Sequence, residues 1–452
     1  MKKLFVAALF LLAAAYIISC EKEVASELDL DTPLEEVLNQ KSVTGSYSGY
    51  IMPESTDFAN LPNQDPKNPV TAEKVELGRL LFFETGLGLE NKYPASKQAY
   101  SCSSCHVPSR GFTAGRFQGI ADGAVGFGTS GEGRSKNPVY FGHEVDAQGA
   151  RPLPTINTTY VTNALWAGTF GSFDVNVGTE NVWNQDTLIA INHEQLMGLE
   201  ANNARALIVH RQVINKTVTD QLGYTQMFDA AFPDIPQNIR YSRKTGAFAI
   251  AAYFRTILTN RAPFQRWLKG EQAAMTAQQK KGAMVFFGKA GCANCHNSPS
   301  LNAFPHRFFA LGVNNLYQSQ YEVFATGPAD KRNIGRGGFT GKEEDMHKYK
   351  VPQLYNLRDA GFYFHGASKT SLREVVEYFN DGIPENPLVP ASQVSSLFRP
   401  LHLSEQEMDD LTEFLENGLF DPNLERYAPT KTKSGNCFPN NDPQSKKDMG
   451  CN

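Results

Sequence analysis

Hydrophobic residues recur every three or four positions through much of this chain, which is the spacing of one face of a helix. The pattern predicts helices within 72–83, 186–232 and 241–267, and again within 372–379 and 404–415. The alternating pattern of a half-buried strand is rare. The sequence therefore predicts a mainly α fold.

Two long segments lack the helical spacing. One of them, 111–149, has seven glycines between residues 115 and 133, and the other, 298–350, is irregular throughout. Segments of this length without regular structure are usually functional or disordered. We therefore expect long irregular loops between the helices.

The helical part contains a weak internal repeat. Gly78-Arg79-Leu80-Leu81-Phe82-Phe83 is similar to Gly282-Ala283-Met284-Val285-Phe286-Phe287, about two hundred residues later. We place a domain boundary near Gly270. The predicted organisation is a signal peptide at 1–19, a polar tether at 20–68, a first unit at 69–269, a second unit at 270–425 and a tail at 426–452.

The N-terminus predicts export. Two lysines precede an apolar run from Leu4 to Ile18, which is too short for a confident membrane span but suits a secretory signal. Ile17-Ile18-Ser19-Cys20 resembles the lipobox of bacterial lipoproteins, and the alternative is an ordinary signal cleaved nearby. We expect Cys20 to be lipidated, so that the protein is held at the periplasmic side or the cell surface through its lipid alone.

Composition excludes one class of partner. The 452 residues contain 43 Lys and Arg against 47 Asp and Glu, a formal net charge of -4, with both signs mixed along the chain. A nucleic-acid-binding protein is expected to carry a concentrated basic surface. We therefore expect no nucleic acid partner.

The pattern that carries chemistry is Cys-x-x-Cys-His, which occurs twice. Its members are Cys102, Cys105 and His106 in the first motif and Cys292, Cys295 and His296 in the second. Two thiols at this spacing, followed by a histidine, suit a c-type haem: the sulfurs bond the vinyl groups and the imidazole ligates iron. A zinc site would need further Cys or His ligands at each motif. The sequence therefore predicts two covalently bound haem c groups, with His106 and His296 as proximal ligands.

Two cysteines remain near the C-terminus. Cys437 and Cys451 would meet an oxidising compartment after export, so we expect them to form a disulfide. A closed segment of about 15 residues restricts the unfolded chain by about 3 kcal/mol in the entropy model. We interpret this bond as a staple of the tail without a catalytic role.

The segments around the motifs resemble the bacterial dihaem cytochrome c peroxidase family, which includes the dihaem enzyme that matures the tryptophylquinone of methylamine dehydrogenase. The resemblance extends over about 73–419. It is carried by Leu77 to Phe83, Leu153-Pro154-Thr155-Ile156-Asn157, Thr276 to Gly282, Val351 to Leu357 and Tyr363-Phe364-His365-Gly366. It implies two tandem cytochrome-c-like domains, the first peroxidatic and the second receiving electrons.

The resemblance also implies catalytic residues. Glu200 matches the family's acid-base glutamate, since peroxide must lose a proton to bind iron and regain one before its O–O bond breaks. Trp166 matches a tryptophan that lies between the two haems and assists electron passage. The family has an Asp after this tryptophan, and here Ala167 takes its place.

The distal ligands are less well defined. His143 resembles the histidine that closes the resting peroxidatic haem, but its distance from Arg151 is one residue too long, and the alternative is a surface histidine. At the second haem the family's Met or Tyr position falls on Phe379, which cannot ligate iron. Tyr378 after a one-residue shift, Met346 from elsewhere, or an open iron are the alternatives.

The resemblance completes the functional prediction. It implies reduction of hydrogen peroxide to water with electrons from a small cytochrome c or cupredoxin, and a homodimer is common in the family. A calcium ion between the domains is left open, because Pro152 replaces a family asparagine that helps to bind it. Two alternatives stay open. One is oxidative modification of a protein or small molecule, which Tyr378 suggests as a candidate for the Tyr ligand found in part of the family. The other is a dihaem electron carrier without substrate chemistry.

Overall fold

The computed structural model describes residues 29–451, so the predicted signal peptide and the lipidated Cys20 lie outside the described residues. The described chain is mainly helical, as predicted, with two pairs of two-residue strands. The helices are α1 Asp31–Lys41, α2 Ala72–Phe83, α3 Gly198–Val209, α4 Lys216–Leu222, α5 Thr225–Ala231, α6 Gln237–Arg240, α7 Arg243–Thr256, α8 Pro263–Leu268, α9 Ala277–Phe287, α10 Gly337–Thr340, α11 Leu372–Asp381, α12 Glu405–Glu413 and α13 Pro443–Met449. The antiparallel strand pairs are β1 Ala124–Val125 with β2 Ser135–Lys136, and β3 Phe308–Phe309 with β4 Tyr349–Lys350.

Each predicted unit is built on one close crossing of two helices. α2 crosses α7 at Gly78, where an added Cβ would lie 1.9 Å from the carbonyl oxygen of Ala249. α9 crosses α12 at Gly282, where a Cβ would lie 1.9 Å from the carbonyl oxygen of Asp410. Only glycine lets two backbones approach this closely. The two glycines are equivalent in the internal repeat, so the repeat is structural, whereas the domain limits predicted from the sequence stay a prediction.

The predicted tether is wrong for the part that the structure describes. α1 packs against α9 and buries Leu34 and Leu38 completely. Asp31 at its first turn accepts a hydrogen bond of 2.6 Å from Trp267 Nε1 and lies 2.6 Å from Lys280 Nζ. The polar composition of this segment concealed the two leucines, four positions apart, that dock the helix.

The irregular segments pack closely in spite of their lack of helices. The glycine-rich segment 111–149 has only the β1–β2 pair and short turns, yet many of its side chains are buried. The main hydrophobic core runs through both units, from α1 and α2 to the residues after α12. Within residues 29–451, no helix has the length and apolar character needed to cross a membrane.

The C-terminal segment folds back onto the first unit. Cys437 and Cys451 form a disulfide around α13. Phe438 packs edge-to-face on Phe83 at the end of α2, with ring centroids 5.5 Å apart. This part of the chain is therefore packed into the body and does not hang free of it.

Candidate haem sites

Both Cys-x-x-Cys-His motifs form the same local structure. Each is a short 3₁₀ turn, Cys102–Ser104 and Cys292–Asn294, that follows the close helix crossing of its unit. In each turn the N–H groups of the second cysteine and of the histidine donate to the carbonyl of the first cysteine, at 3.2 and 3.1 Å in the first motif and 3.1 and 2.9 Å in the second. The shared geometry brings both thiols and the imidazole to one side of the turn.

Both motif histidines are oriented as proximal ligands. Nδ1 of His106 donates to the carbonyl of Phe112 at 3.1 Å, and Nδ1 of His296 donates to the carbonyl of Leu301 at 2.5 Å. A backbone acceptor at Nδ1 fixes the tautomer and leaves Nε2 for a metal. Burial lowers the pKa of each imidazole to about 4, so that both are neutral, the form that binds iron.

The four motif cysteines are free thiols in the protein chain. Burial raises the pKa of Cys102 to about 12, that of Cys105 to about 11 and that of Cys292 to about 12. Protonated, buried thiols are poor nucleophiles.

A cavity of about 720 Å³ adjoins the second motif. Cys292, Cys295 and His296 line one side, and the rest of its wall is largely apolar, including Leu372, Val375, Val376, Phe379, Phe398, Leu401, Leu411 and Leu415. An enclosed apolar space with a few directed polar groups is typical of a cofactor site. These residues fit a haem c in size and in donor chemistry.

Arg151 gives the cavity a polar partner for a haem propionate. Its guanidinium lines the wall, and its Nε is buried without a hydrogen-bond partner in the protein. Burial lowers its pKa to about 10, so it still carries its charge at neutral pH. A buried cation with an unused donor is costly unless an anion meets it, and a propionate would supply that anion.

Trp166 lines the cavity beside the second motif. Its Nε1 donates to the carbonyl of Arg151 at 2.7 Å, and its ring stands edge-on to Tyr349 and His365, with centroids 6.5 and 6.2 Å away. The same cavity wall includes Thr113, which follows His106 by seven residues. This position agrees with the bridging role implied by the resemblance, and the role itself stays a prediction.

His365 is buried and held by its neighbours. It stacks on Tyr349 with centroids 3.5 Å apart, and its Nε2 donates to Asn315 Oδ1 at 3.0 Å. Burial lowers its pKa to about 3, so the ring is neutral. Its backbone carbonyl accepts the N–H of Arg151 at 2.7 Å and thereby ties the two predicted units together beside Trp166.

The proposed alternatives for the second distal ligand do not reach the cavity. Tyr378 points away from it and donates its hydroxyl to the carbonyl of Leu311 at 2.7 Å. Met346 packs against Gly337, where an added Cβ would lie 2.5 Å from its Sδ. Phe379 lines the cavity, as the register indicated. Neither Tyr378 nor Met346 lines the cavity, and the identity of the second distal ligand stays a prediction.

Two histidines that the sequence analysis did not single out also line this cavity. They are His347, whose Nδ1 is buried without a partner, and His402, which is exposed at the rim. Both have a positive φ, 59° and 56°. Neither lies in a motif, so only the fold brings them to the site.

Glu200 occupies a different environment from the one predicted. Its carboxylate forms a two-bond ion pair with Arg255 on α7, at 2.6 and 2.9 Å, and accepts a third bond of 2.9 Å from Asn68 Nδ2. Both charged side chains are 0 % exposed. The structure therefore places Glu200 in a buried ion pair, and its role as the acid-base group stays a prediction.

The remaining predicted groups are less constrained. His143 is exposed on the turn Gly142–Glu144, with its ring nearly parallel to that of Phe141 and the two ring centroids 6.0 Å apart. Its role as a gate stays a prediction.

Among residues 29–451, no group of three or more His, Cys, Asp or Glu side chains is suited to hold a metal ion. Side chains thus give no support to a calcium site.

The comparisons with known proteins agree with this geometry. The family model described as di-haem cytochrome c peroxidase matches residues 72–273. Relatives named cytochrome c peroxidase and MauG match about three quarters of the chain. The similarity to the di-haem cytochrome c peroxidase family that the sequence predicted is therefore confirmed.

Relatives with two different functional names are about equally similar to this chain. It is 29% identical over 368 residues to the cytochrome-c peroxidase IdrP1 of Denitromonas iodatirespirans, covering 77% of this chain and 82% of the relative. It is 29% identical over 352 residues to the methylamine utilization protein MauG of Methylorubrum extorquens, covering 77% and 79%. The crystal structure of a MauG-like protein associated with microbial copper homeostasis matches with a TM-score of 0.55 and 23% identity, over 85% of this chain and 97% of that one, and supports the fold.

Proposed function

We propose that this protein is a peroxidase that reduces hydrogen peroxide to water with electrons from a small cytochrome c or cupredoxin. The observation that supports it best is the pair of neutral histidines, His106 and His296, each with Nδ1 hydrogen-bonded to a backbone carbonyl. Trp166 lines the cavity beside His296. When attached, the two haem c groups supply the redox chemistry. In this proposal the protein is exported and held to a bacterial membrane by a lipid on Cys20.

The chain's own residues contribute attachment, orientation and shielding. The four motif cysteines would hold the haems through thioether bonds, and the two carbonyl-bonded histidines would ligate iron through Nε2. Arg151 would neutralise a propionate at the second site. The apolar wall from Leu372 to Phe379 would exclude water from one face of that haem.

Steady-state turnover of peroxide with a reduced small cytochrome c as sole donor tests the proposal. We expect activity in the intact protein. His106→Ala and His296→Ala should each abolish turnover, but only His296→Ala should also abolish the rapid uptake of the first electron. Turnover that persists in His106→Ala would contradict the roles assigned to the two sites.

Two alternatives are distinguished by the same preparation. Oxidative modification of another molecule is the first alternative, because the similarity to MauG is as high as that to the peroxidase. The hydroxyl of Tyr378, the residue that suggested it, donates to the carbonyl of Leu311. Sustained turnover with cytochrome c as the only donor argues against this alternative. A pure electron carrier would show two low-spin, six-coordinate haems in every redox state and no reaction with peroxide.

A further inference from the structure

The two haem-attachment turns have the same backbone, and the second position is buried in both, as Ser103 and Ala293, but the next two positions differ in exposure. In the first turn Ser103 and Ser104 are 0 % and 3 % exposed, and Cys105 is buried. In the second turn Asn294 takes the place of Ser104 and is exposed, and Cys295 is half-buried. Because the turns themselves match, the difference arises from what lies on top of them.

The C-terminal tail, defined here as residues 432–451, lies on the first turn. The carbonyl of Pro439 accepts hydrogen bonds from the hydroxyls of Ser101 at 2.9 Å and Ser104 at 3.2 Å. The side chain of Asn440 accepts another bond from Ser104. The tail thus binds two hydroxyl groups that the second motif lacks, because Gly291 and Asn294 take the places of Ser101 and Ser104.

The tail also holds the glycine-rich segment over the same thiols. Asp442 accepts a bond of 3.0 Å from the N–H of Gly126, and Asp448 accepts bonds of 2.8 and 3.0 Å from the N–H groups of the next two residues. Earlier in this segment, Gly119 lies so close to Cys105 that an added Cβ would be 3.0 Å from its Sγ. Tail and segment together enclose the first turn.

Two further contacts fix the tail in place. The Cys437–Cys451 disulfide closes the part that carries Pro439 and Asn440. Nearer the body, Ser434 donates its hydroxyl to the fully buried Glu84 at 2.6 Å. The tail is therefore fixed on both sides of Pro439 and Asn440, the residues that contact the first turn.

We propose that the tail is a cover that prevents electron-donor proteins from reaching the first haem, so that they meet the chain only at the exposed second turn. The thioether edge of a haem c lies beside the turn that carries its cysteines, and electron-transfer rates fall steeply with distance. A layer of protein over one turn therefore selects the other. The inference rests on the proposed function only in taking a separate protein as the electron source.

The test compares a bulky donor with a small one in the holo-protein, without peroxide. Reduced flavodoxin and dithionite are mixed with intact protein and with a variant truncated after Gly435, and reduction of each haem is followed by stopped-flow absorbance. Each encounter oxidises the donor by one electron and reduces one ferric iron. In intact protein the rate at the first haem should be independent of flavodoxin concentration; in the variant it should rise in proportion to it. The rate at the second haem should not change.

A second variant and a second measurement keep the test decisive. If the truncated chain does not fold, the double substitution Cys437→Ser with Cys451→Ser replaces it, because it breaks the disulfide and loosens the tail without removing it. The matched control is Lys447→Ala, on the exposed face of α13. Hydrogen exchange of the peptide 98–106 should speed up only when the cover is opened. Two results would overturn the proposal. One is a reduction rate of the first haem that rises in proportion to flavodoxin concentration in the intact protein. The other is a rate that stays independent of that concentration in a variant whose peptide 98–106 exchanges freely. Neither result depends on whether the protein turns over peroxide.

Discussion

The ion pair between Glu200 and Arg255 makes a sharp prediction about stability. Both side chains are completely buried and joined by bonds of 2.6 and 2.9 Å. Removal of one partner from a buried pair leaves an uncompensated charge and typically costs about 3–5 kcal/mol. Glu200→Gln keeps the size of the side chain and one acceptor, so we expect a loss at the lower end, about 3 kcal/mol, which is roughly a hundredfold in the unfolding equilibrium.

Urea unfolding of the oxidised holo-protein, followed by far-ultraviolet circular dichroism, measures this loss. Glu271→Gln is the matched control, because its partner Arg266 and Glu271 itself are both largely exposed and such pairs contribute little. The double substitution Glu200→Gln with Arg255→Leu should recover part of the loss, since it removes the stranded charge. If Glu200→Gln instead unfolds like the intact protein and loses peroxide turnover, the structural interpretation is refuted and the acid-base role is supported.

Three further predictions concern other parts of the chain. Gly78→Ala should prevent the close helix crossing and lower both the melting temperature and haem incorporation, whereas Gly327→Ala, which meets no atom within 4 Å, should change neither. Burial lowers the pKa of His210, but the charge and hydrogen bond of Asp146 at 2.8 Å outweigh it, so the net pKa is raised. This pair therefore adds stability below the unfolded pKa of about 6.5 and loses it as pH rises through the folded pKa, so Asp146→Asn should cost more unfolding free energy at pH 6 than at pH 8. Trp166→Phe should slow peroxide turnover several-fold while the first-electron uptake is unchanged, and an unchanged turnover would rule out a bridging role.

The local features were predictable because their causes are local. α2 has the bounds that the apolar spacing indicated, 72–83, and α11 and α12 end within two residues of the predicted segments. The two haem-attachment turns follow from five-residue motifs. The close helix crossings also leave a trace, since Gly78 and Gly282 stand at the same place in the internal repeat.

The features that the sequence concealed depend on distant residues. Glu200 matched a family position, but its partner Arg255 is 55 residues away and nothing in either segment reveals the pair. His347 and His402 reach the second cavity from separate irregular segments. Asp442 and Asp448 in the tail have the sequence pattern of an ordinary solvated helix. Only the fold shows that they accept hydrogen bonds from the glycine-rich segment. Such contacts have no periodicity and no motif.

The docking of α1 limits how far the protein can stand from a membrane. If Cys20 carries the lipid, eight residues lie between it and Asp29, the first described residue, and even a fully extended chain between these two residues spans only about 30 Å. α1 begins at Asp31 and is bound to α9, beside the exposed second turn. The second unit, which is proposed to receive the electrons, would therefore lie within about one protein diameter of the bilayer. Donor proteins that diffuse along the membrane surface would then meet this unit first.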